Sequence, residues 1–476
     1  MQQNIYTILL FSICTIGVFY ICPQKSRPTI LFLESMIFYI ICDYKFVLLI
    51  LSETIISWFF GKKIFSCRST IKDNKKGKKW LWCAIIFILF ILCFFKYFNF
   101  FIDCFNLSFA NIILPIGISY YSFKIISYVV DIYLNRRDPE SSFITYSVYI
   151  LFFPHLICGP IVRSTSITDR IHEGLNFDKN KFSSGIIRII YGFFMKTVIA
   201  DRAGSYVSTI FSTPDNFPSI ALILALFLYA IQLYCDFAGY SLIAQGITNC
   251  FGFECMSNFK RPYLSLDIRD FWRRWHISLS SWLRDYIYIP LGGNRCSLLR
   301  KWCNVFITFI VCGIWHGNSL HFILWGIYHG LLNNLTLKKS DYGKIGKYFM
   351  WIFTMILVLF GWLLFRSTSI SYIFHFISRI FTNFSLSYSS ITASIIPFTG
   401  DNTAIAYAIT LFFMISLLFV KEIFDEKRER RLLASEKTTV EESFISSYTL
   451  FWSILFFVLI ILFGITGSSN FLYANF

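Results

Sequence analysis

Apolar residues run through this chain in long blocks separated by short polar or basic interruptions, from Ile5–Cys22 near the start to Tyr448–Ile465 near the end. Blocks of roughly 18 or more apolar residues match the ~30 Å hydrocarbon core of a bilayer when helical. The pattern predicts an all-α, polytopic membrane helix bundle of about 10–12 membrane segments, re-entrant elements included. Ile5–Cys22 lacks a basic leading stretch and a small-residue cleavage site, so it reads as a retained span rather than a signal peptide. Thr29–Cys42 and Phe46–Phe60 are each brief and meet at Asp43–Lys45, as two short tilted spans or one hairpin. Gly61–Lys79 carries eight basic residues against Asp73 alone, the pattern of a cytoplasmic loop, and counting back puts the N-terminus outside.

Leu81–Phe101 and Asn111–Tyr133 are the next predicted spans, the second carrying Pro115 and Gly117. Ser142–Pro160 is followed by another basic loop, which a full crossing would leave on the wrong side. Its Pro154, Gly159 and Pro160 point instead to a re-entrant element, with His155 a hydrogen-bonded structural residue. Gly185–Ala200 and Pro218–Gly246 follow. Asp236 in the latter is costly at membrane depth unless it faces the bundle interior and finds a partner, so it is a candidate functional residue. The structural alternative is that Asp236 pins its helix to an arginine of the Trp-rich segment downstream. Asn304–Leu332 is too long for one straight crossing, since 29 residues make a helix of roughly 44 Å. Either it is steeply tilted, or it enters, breaks near Gly317 and returns. Tyr348–Phe365 leads out, Ser367–Thr403 forms an outer loop, and Ala404–Val420 leads back to a mixed-charge cytoplasmic segment. No internal repeat or long polar interval divides the chain, so residues 1–476 read as a single integral membrane domain with its motifs concentrated at 114–333.

Composition agrees with this picture. The chain is 56% hydrophobic and 15% charged, against about 45–50% and about 25% for soluble domains. A net charge of +16 would suggest nucleic acid in a soluble protein. Here Lys and Arg collected in cytoplasmic loops account for it, and nucleic-acid binding is set aside. The fourteen cysteines lie scattered in apolar runs with no CxxC pair and no zinc spacing, so no metal site is expected. Cys312 and His316 share a helical face at i, i+4, but two ligands alone do not make a metal site.

The candidate chemistry lies in Lys260–Leu332. Between Lys260 and Lys301 stand nine basic residues and three acidic ones, and the nearly uncharged half that follows carries His316, His321 and His329. A cation-rich platform leading to an intramembrane histidine is the pattern of a charged reagent meeting a buried base. Neutral imidazole suits that role near pH 7, and a dry setting disfavours its cation. Arg269, Arg273, Arg274 and Arg284 form a candidate platform for the phosphates of a donor. Pairing with Asp270 and Asp285, or contact with lipid headgroups, is the plainer reading of the same residues. His321 and His329 read as structural, because on one rod His329 would face away from His316.

Several stretches resemble the membrane-bound O-acyltransferases. These are LPIGISYYSFKIISY, FFPHLICGPIVR, QLYCDFAGYS, NFKRPY, RDFWRRWHISLS, WLRDYIYIPLGGNR, GIWHG and FLYANF, which span most of the chain in order. The likeness is to the bacterial branch that works in alginate O-acetylation and, more distantly, teichoic acid D-alanylation, with YIPLGGNR favouring the alginate type. The resemblance implies that His316 is the catalytic histidine and His276 a second functional one. It implies an O-acyltransferase, with an O-acetyltransferase expected, that moves an acyl group from a cytoplasmic donor such as acetyl-coenzyme A to an extracytoplasmic polysaccharide. The donor is a substrate, and no permanent cofactor is expected. A separate extracytoplasmic acetyltransferase or esterase-like protein is the expected partner, with the cell's inner membrane the expected location. A lipid acyltransferase of the same fold and a proton-coupled transporter using Asp236 and the histidines are the alternatives.

Overall fold

The computed structural model describes residues 5–69, 74–105, 111–156, 159–335, 343–382, 384–434 and 446–465. The first half runs as α1 (Ile5–Ile21), α2 (Arg27–Asp43), α3 (Val47–Ser69), α4 (Asn74–Cys104), α5 (Ile118–Tyr133), α6 (Phe143–Leu151), α7 (Thr165–Glu173), α8 (Lys179–Phe193), α9 (Asp201–Ser212) and α10 (Ser219–Cys250). The second half runs as α11 (Ile268–Arg274), α12 (Ile277–Leu283), α13 (Leu298–His316), α14 (Leu320–Leu335), α15 (Lys344–Arg366), α16 (Ile370–Thr382), α17 (Tyr388–Ile395), α18 (Ala404–Ala434) and α19 (Ser447–Phe463). No strand occurs among the described residues, and seven helical stretches there are long and apolar enough to cross a membrane. The helices cluster into two compact units. One holds the described residues through Ile189 with Ala244–Met256, and the other holds Ile190–Ile243 and the chain from Ser257.

In the first unit α2 and α3 are separate helices meeting at a short 3-10 turn, Tyr44–Phe46. The expected loop after Phe60 is instead largely helical, since α3 continues to Ser69 and α4 begins at Asn74. Lysine is a good helix former, and its stem can lie along aromatic surface while the ammonium stays wet. Lys62 sits 3.4 Å over the Trp58 ring and Lys63 5.3 Å over Phe59. Helix α5 starts later than the hydropathy implied, at Ile118. Gly117 turns the chain there in the left-handed region, with φ +75°, and a Cβ would meet the Leu156 carbonyl oxygen at 2.4 Å. Helix α6 has nine residues, a length of roughly 14 Å, about half a crossing. That suits the re-entrant reading of Ser142–Pro160. His155 is fully buried, and its Nε2 lies 2.9 Å from Thr248 Oγ1. The Thr248 hydroxyl donates to Ala244 O at 2.6 Å, so it accepts from the imidazole, a structural bond as expected.

In the second unit a π-helical stretch, Phe194–Ala200, precedes α9. It directs Lys196 inward, where Nζ lies 2.7 Å from both Asp201 Oδ1 and Asp236 Oδ1. All three side chains are almost fully buried. Asp236 thus pins α10 to this turn through a lysine, not through an arginine of the Trp-rich segment. Lys196→Met would leave two carboxylates buried without their cation, a loss of about 3–5 kcal/mol by analogy with other broken buried pairs. Thermal unfolding of the purified variant in detergent should show a sharply lowered midpoint, and an unchanged midpoint would refute the pairing.

The long run Asn304–Leu332 is a hairpin. Helix α13 ends at His316, Gly317 is extended, and α14 begins at Leu320. The two helices touch backbone to backbone because glycines face the contact: a Cβ on Gly313 would lie 2.3 Å from Phe322 O, and one on Gly326 2.5 Å from Phe309 O. The expected outer loop after Ser367 contains α16 and α17. Tyr372 there donates to Phe211 O at 2.6 Å and Ser219 to Arg379 O at 2.9 Å. Finally, α18 carries the first part of the expected cytoplasmic segment, through Ala434, as its own last turns, the remainder lying outside the described residues. Its Glu426 and Glu429 project toward the basic stretch that follows Ser257.

Candidate functional site

The platform is built by three breaks in helix. Asp267 caps α11 by accepting from Asp270 N at 2.8 Å. Trp275 is extended, and His276 enters the left-handed region with φ 43° before α12 resumes. Arg284–Tyr288 then continues α12 as a π turn. These breaks divide the arginines into two sets. Arg274 is half-buried, 3.1 Å from Asp270 and 3.2 Å from Glu426, and Arg261 binds Glu426 at 2.8 Å and also Glu429. Burial works against the Arg274 charge, but its hydrogen bonds to Glu426 and Asp270 outweigh that and hold its pKa above the usual guanidinium value. Arg274 therefore ties the platform to α18 and does not face the cavity beside it.

Arg269, Arg273 and Arg284 are exposed and line that cavity, which has a volume of about 420 Å³. Lys301, Tyr288 and Asn294 join them at its polar end, and Trp272, Leu283 and Phe309 form an apolar wall. Lys301, Val305, Thr308 and Cys312 also line it, at i, i+4, i+7 and i+11 of α13. That stripe rises roughly 16 Å along the helix, and Cys312 is one turn short of His316. So the cavity begins among exposed cations, of which Arg284 also pairs with Asp285 at 2.8 Å and Arg269 donates to Asn333 O at 2.9 Å, and it ends next to a histidine. Arg295, further along the same segment, does not line it.

His316 is buried among aromatic rings: Trp315 at 4.8 Å, Trp325 at 5.2 Å and Phe365 at 5.2 Å between centroids. His329 also packs against Trp325, at 5.0 Å, and receives a hydrogen bond of 3.3 Å from Trp272 Nε1 to its Nδ1. On a single rod these histidines would diverge, whereas in the hairpin both touch the same indole. His276 is also fully buried, with Phe237 at 4.7 Å and Trp315 at 6.3 Å. Burial alone pushes its pKa down to about 3, so its imidazole is neutral at physiological pH. The site thus links His276, Trp315, His316, Trp325 and His329 through ring contacts. His321 lies at the start of α14 against Phe322, at 4.2 Å. Among the described residues, no group of three or more His, Cys, Asp or Glu is placed to hold a metal.

Chemically, cations at one end of the cavity suit a phosphate-bearing reagent, and an imidazole near the other end is the type of group that can accept a hydroxyl proton. Sequence reasoning missed Asn258, Trp272, Thr308 and Trp325. Asn258 lay in a recognised stretch but carried no chemistry of its own, and the other three depend on how α13 and α14 fold back.

Residues 134–337 match the model of the membrane-bound O-acyltransferase family. The chain is 35% identical over 383 residues to the "Probable alginate O-acetylase AlgI" of Pseudomonas syringae pv. tomato, covering 78% of this chain and 72% of that one. It is 30% identical over 398 residues to the peptidoglycan O-acetyltransferase of Helicobacter pylori, covering 75% and 74%. A teichoic acid D-alanyltransferase of Bacillus subtilis is 29% identical over 235 residues, covering 47% of this chain and 58% of its own.

Proposed function

This chain belongs to the membrane-bound O-acyltransferase family, and on that premise we propose that it draws an acetyl group from a cytoplasmic donor for O-acetylation of an extracytoplasmic polysaccharide. It is a multi-pass membrane enzyme, an O-acyltransferase. The observation that carries the finer reading is the cavity that runs from Arg269, Arg273 and Arg284 along α13 to Cys312, one turn from His316. Acetyl-coenzyme A fits its chemistry, with phosphates on the guanidinium groups and the pantetheine arm along the apolar wall. The relatives named for alginate and for peptidoglycan acetylation make a carbohydrate hydroxyl the acceptor class, and the inner membrane of the cell is the proposed location.

In the proposed reaction His316 takes the proton from an acceptor hydroxyl as its oxygen attacks the acetyl carbonyl. The thioester C–S bond breaks, the ester C–O bond forms, and the proton passes to the departing thiolate. His276 lies beside the same reaction space, and Asp236, held by Lys196, supports α10 rather than reacting.

A hydrated polymer is costly to bring to a site at membrane depth, so a second, extracytoplasmic protein is proposed to receive the acetyl group. Exposed Phe381 and Tyr388, around α16 and α17, and Phe384 between them offer it an apolar surface. Phe398 does not belong to that surface, being buried and stacked on Tyr206 at 4.2 Å. The test is reconstitution into vesicles with radiolabelled acetyl-coenzyme A inside and polysaccharide outside. Label should reach the polymer only when the secreted partner is added. Efficient labelling without it would overturn the partner, and no transfer from acetyl-coenzyme A to any acceptor would overturn the donor.

A further inference from the structure

Asn258 is fully buried in the second unit, between α10 and α11, and its backbone carbonyl and both ends of its side-chain amide are engaged. Its carbonyl accepts from Ile277 N at 2.9 Å, and Nδ2 donates to Ser241 Oγ at 3.1 Å. Its Oδ1 faces Ser278 Oγ at 2.9 Å, Ser278 N at 3.3 Å and His276 Nδ1 at 3.0 Å. An amide can be turned over with little change in shape, so its orientation has to be read from its neighbours. Ser278 N–H settles it: a backbone N–H can only donate, so the atom in front of it must be the oxygen. The Ser241 hydroxyl can accept, which agrees. His276 Nδ1 therefore faces an acceptor and must carry the ring proton.

We infer that Asn258 is a positioning residue that holds His276 as the Nδ1–H tautomer, leaving Nε2 with a bare lone pair at the site. Nε2 is buried with no hydrogen-bond partner among the described residues. The ring around it is walled by Phe237, Phe259 and Trp315, the last adjacent to His316. The consequence for the reaction rests on His276 being a site residue, as proposed above. A bare Nε2 accepts a hydrogen bond or a proton from an O–H group. It cannot donate to a carbonyl oxygen or an oxyanion, which removes His276 from any oxyanion-stabilising role in its neutral form. The bonds that Asn258 accepts from Ile277 N, Ser278 N and Ser278 Oγ brace the chain just past His276, whose left-handed backbone a non-glycine residue adopts only under constraint.

The test reads the tautomer directly. The full chain, labelled with 15N-histidine and held in lipid nanodiscs, is examined by NMR, with His276→Gln used to assign the His276 signals. The wild type should show an unprotonated Nε2 and a protonated Nδ1. In Asn258→Leu that preference should collapse, and acyl transfer should fall on the order of 10²-fold. Asn258→Asp keeps the acceptor, so it should retain the tautomer and most of the activity. A protonated Nε2 in the wild type would overturn the inference, as would an unchanged tautomer in Asn258→Leu. If Asn258→Leu fails to fold, the wild-type spectrum and the Asn258→Asp pair still decide it. Confirmed tautomers together with full activity in His276→Gln would leave the positioning role standing and remove His276 from the proposed reaction.

Discussion

His316→Ala should lower acyl transfer by roughly 10²–10⁴-fold, the range contributed by a positioned general base. The effect should fall on the chemical step, because the side chain removed lies past the end of the donor cavity rather than among its binding groups. Folding should survive. His316 is the last residue of α13, and the hairpin is held by backbone contact at Gly313 and Gly326. Its packing contacts are with Trp315, Trp325 and Phe365, which retain one another: Trp325 and Phe365 remain 5.6 Å apart between ring centroids. Purified variant and wild type are compared for elution from gel filtration, for unfolding midpoint, and for single-turnover transfer from labelled acetyl-coenzyme A. Transfer within a few-fold of wild type in a well-folded variant would show that another group takes the proton.

The second large effect is expected from closing the cavity without touching any histidine. Thr308 lies midway along the α13 stripe between Lys301 and Cys312, and its hydroxyl is used only to bond Asn304 O at 2.7 Å. Thr308→Trp puts an indole across a space of about 420 Å³. A donor arm could no longer reach His316 in line, and misplacement of even 1 Å can cost on the order of 10²-fold. Activity should fall by that much or more, while Thr308→Ser remains near wild type. Donor concentration separates the causes. A raised KM with normal kcat would mean that the donor still threads the cavity but binds poorly, whereas loss of both means that the path is shut. Normal kinetics in Thr308→Trp would place the donor route elsewhere.

The charge chemistry of the platform was readable only in part from its residues. That arginines crowd the segment is evident, and Asp270 and Asp285 pair locally with Arg274 and Arg284, but which of the arginines are drawn away from the cavity depends on partners more than a hundred residues away. Glu426 engages Arg261, Arg274 and Arg430, and Glu429 engages Lys260 and Arg261. That leaves Arg269, Arg273 and Arg284 facing the cavity. Asp236 shows the same limit. Its cost at membrane depth announced a buried partner, yet Lys196 became that partner only because a π turn rotates it inward.

By itself, then, the sequence determined the class of fold and the positions of most long helices, and it singled out His316 and His276 as the candidate site residues. These follow from hydropathy, helical period and short motifs, all of which are properties of neighbouring residues. It did not determine where basic loops end and helices begin, since the lysines that read as a loop also extend α3 and α4. Nor did it place His329 near His316, or open a cavity between the arginines and Cys312. Those depend on α13 and α14 folding back at Gly317, and on the breaks at Trp275 and His276. A site assembled across a hairpin is set by contacts between segments, and in a bilayer those contacts are chosen by close packing and by the need to pair every buried polar group.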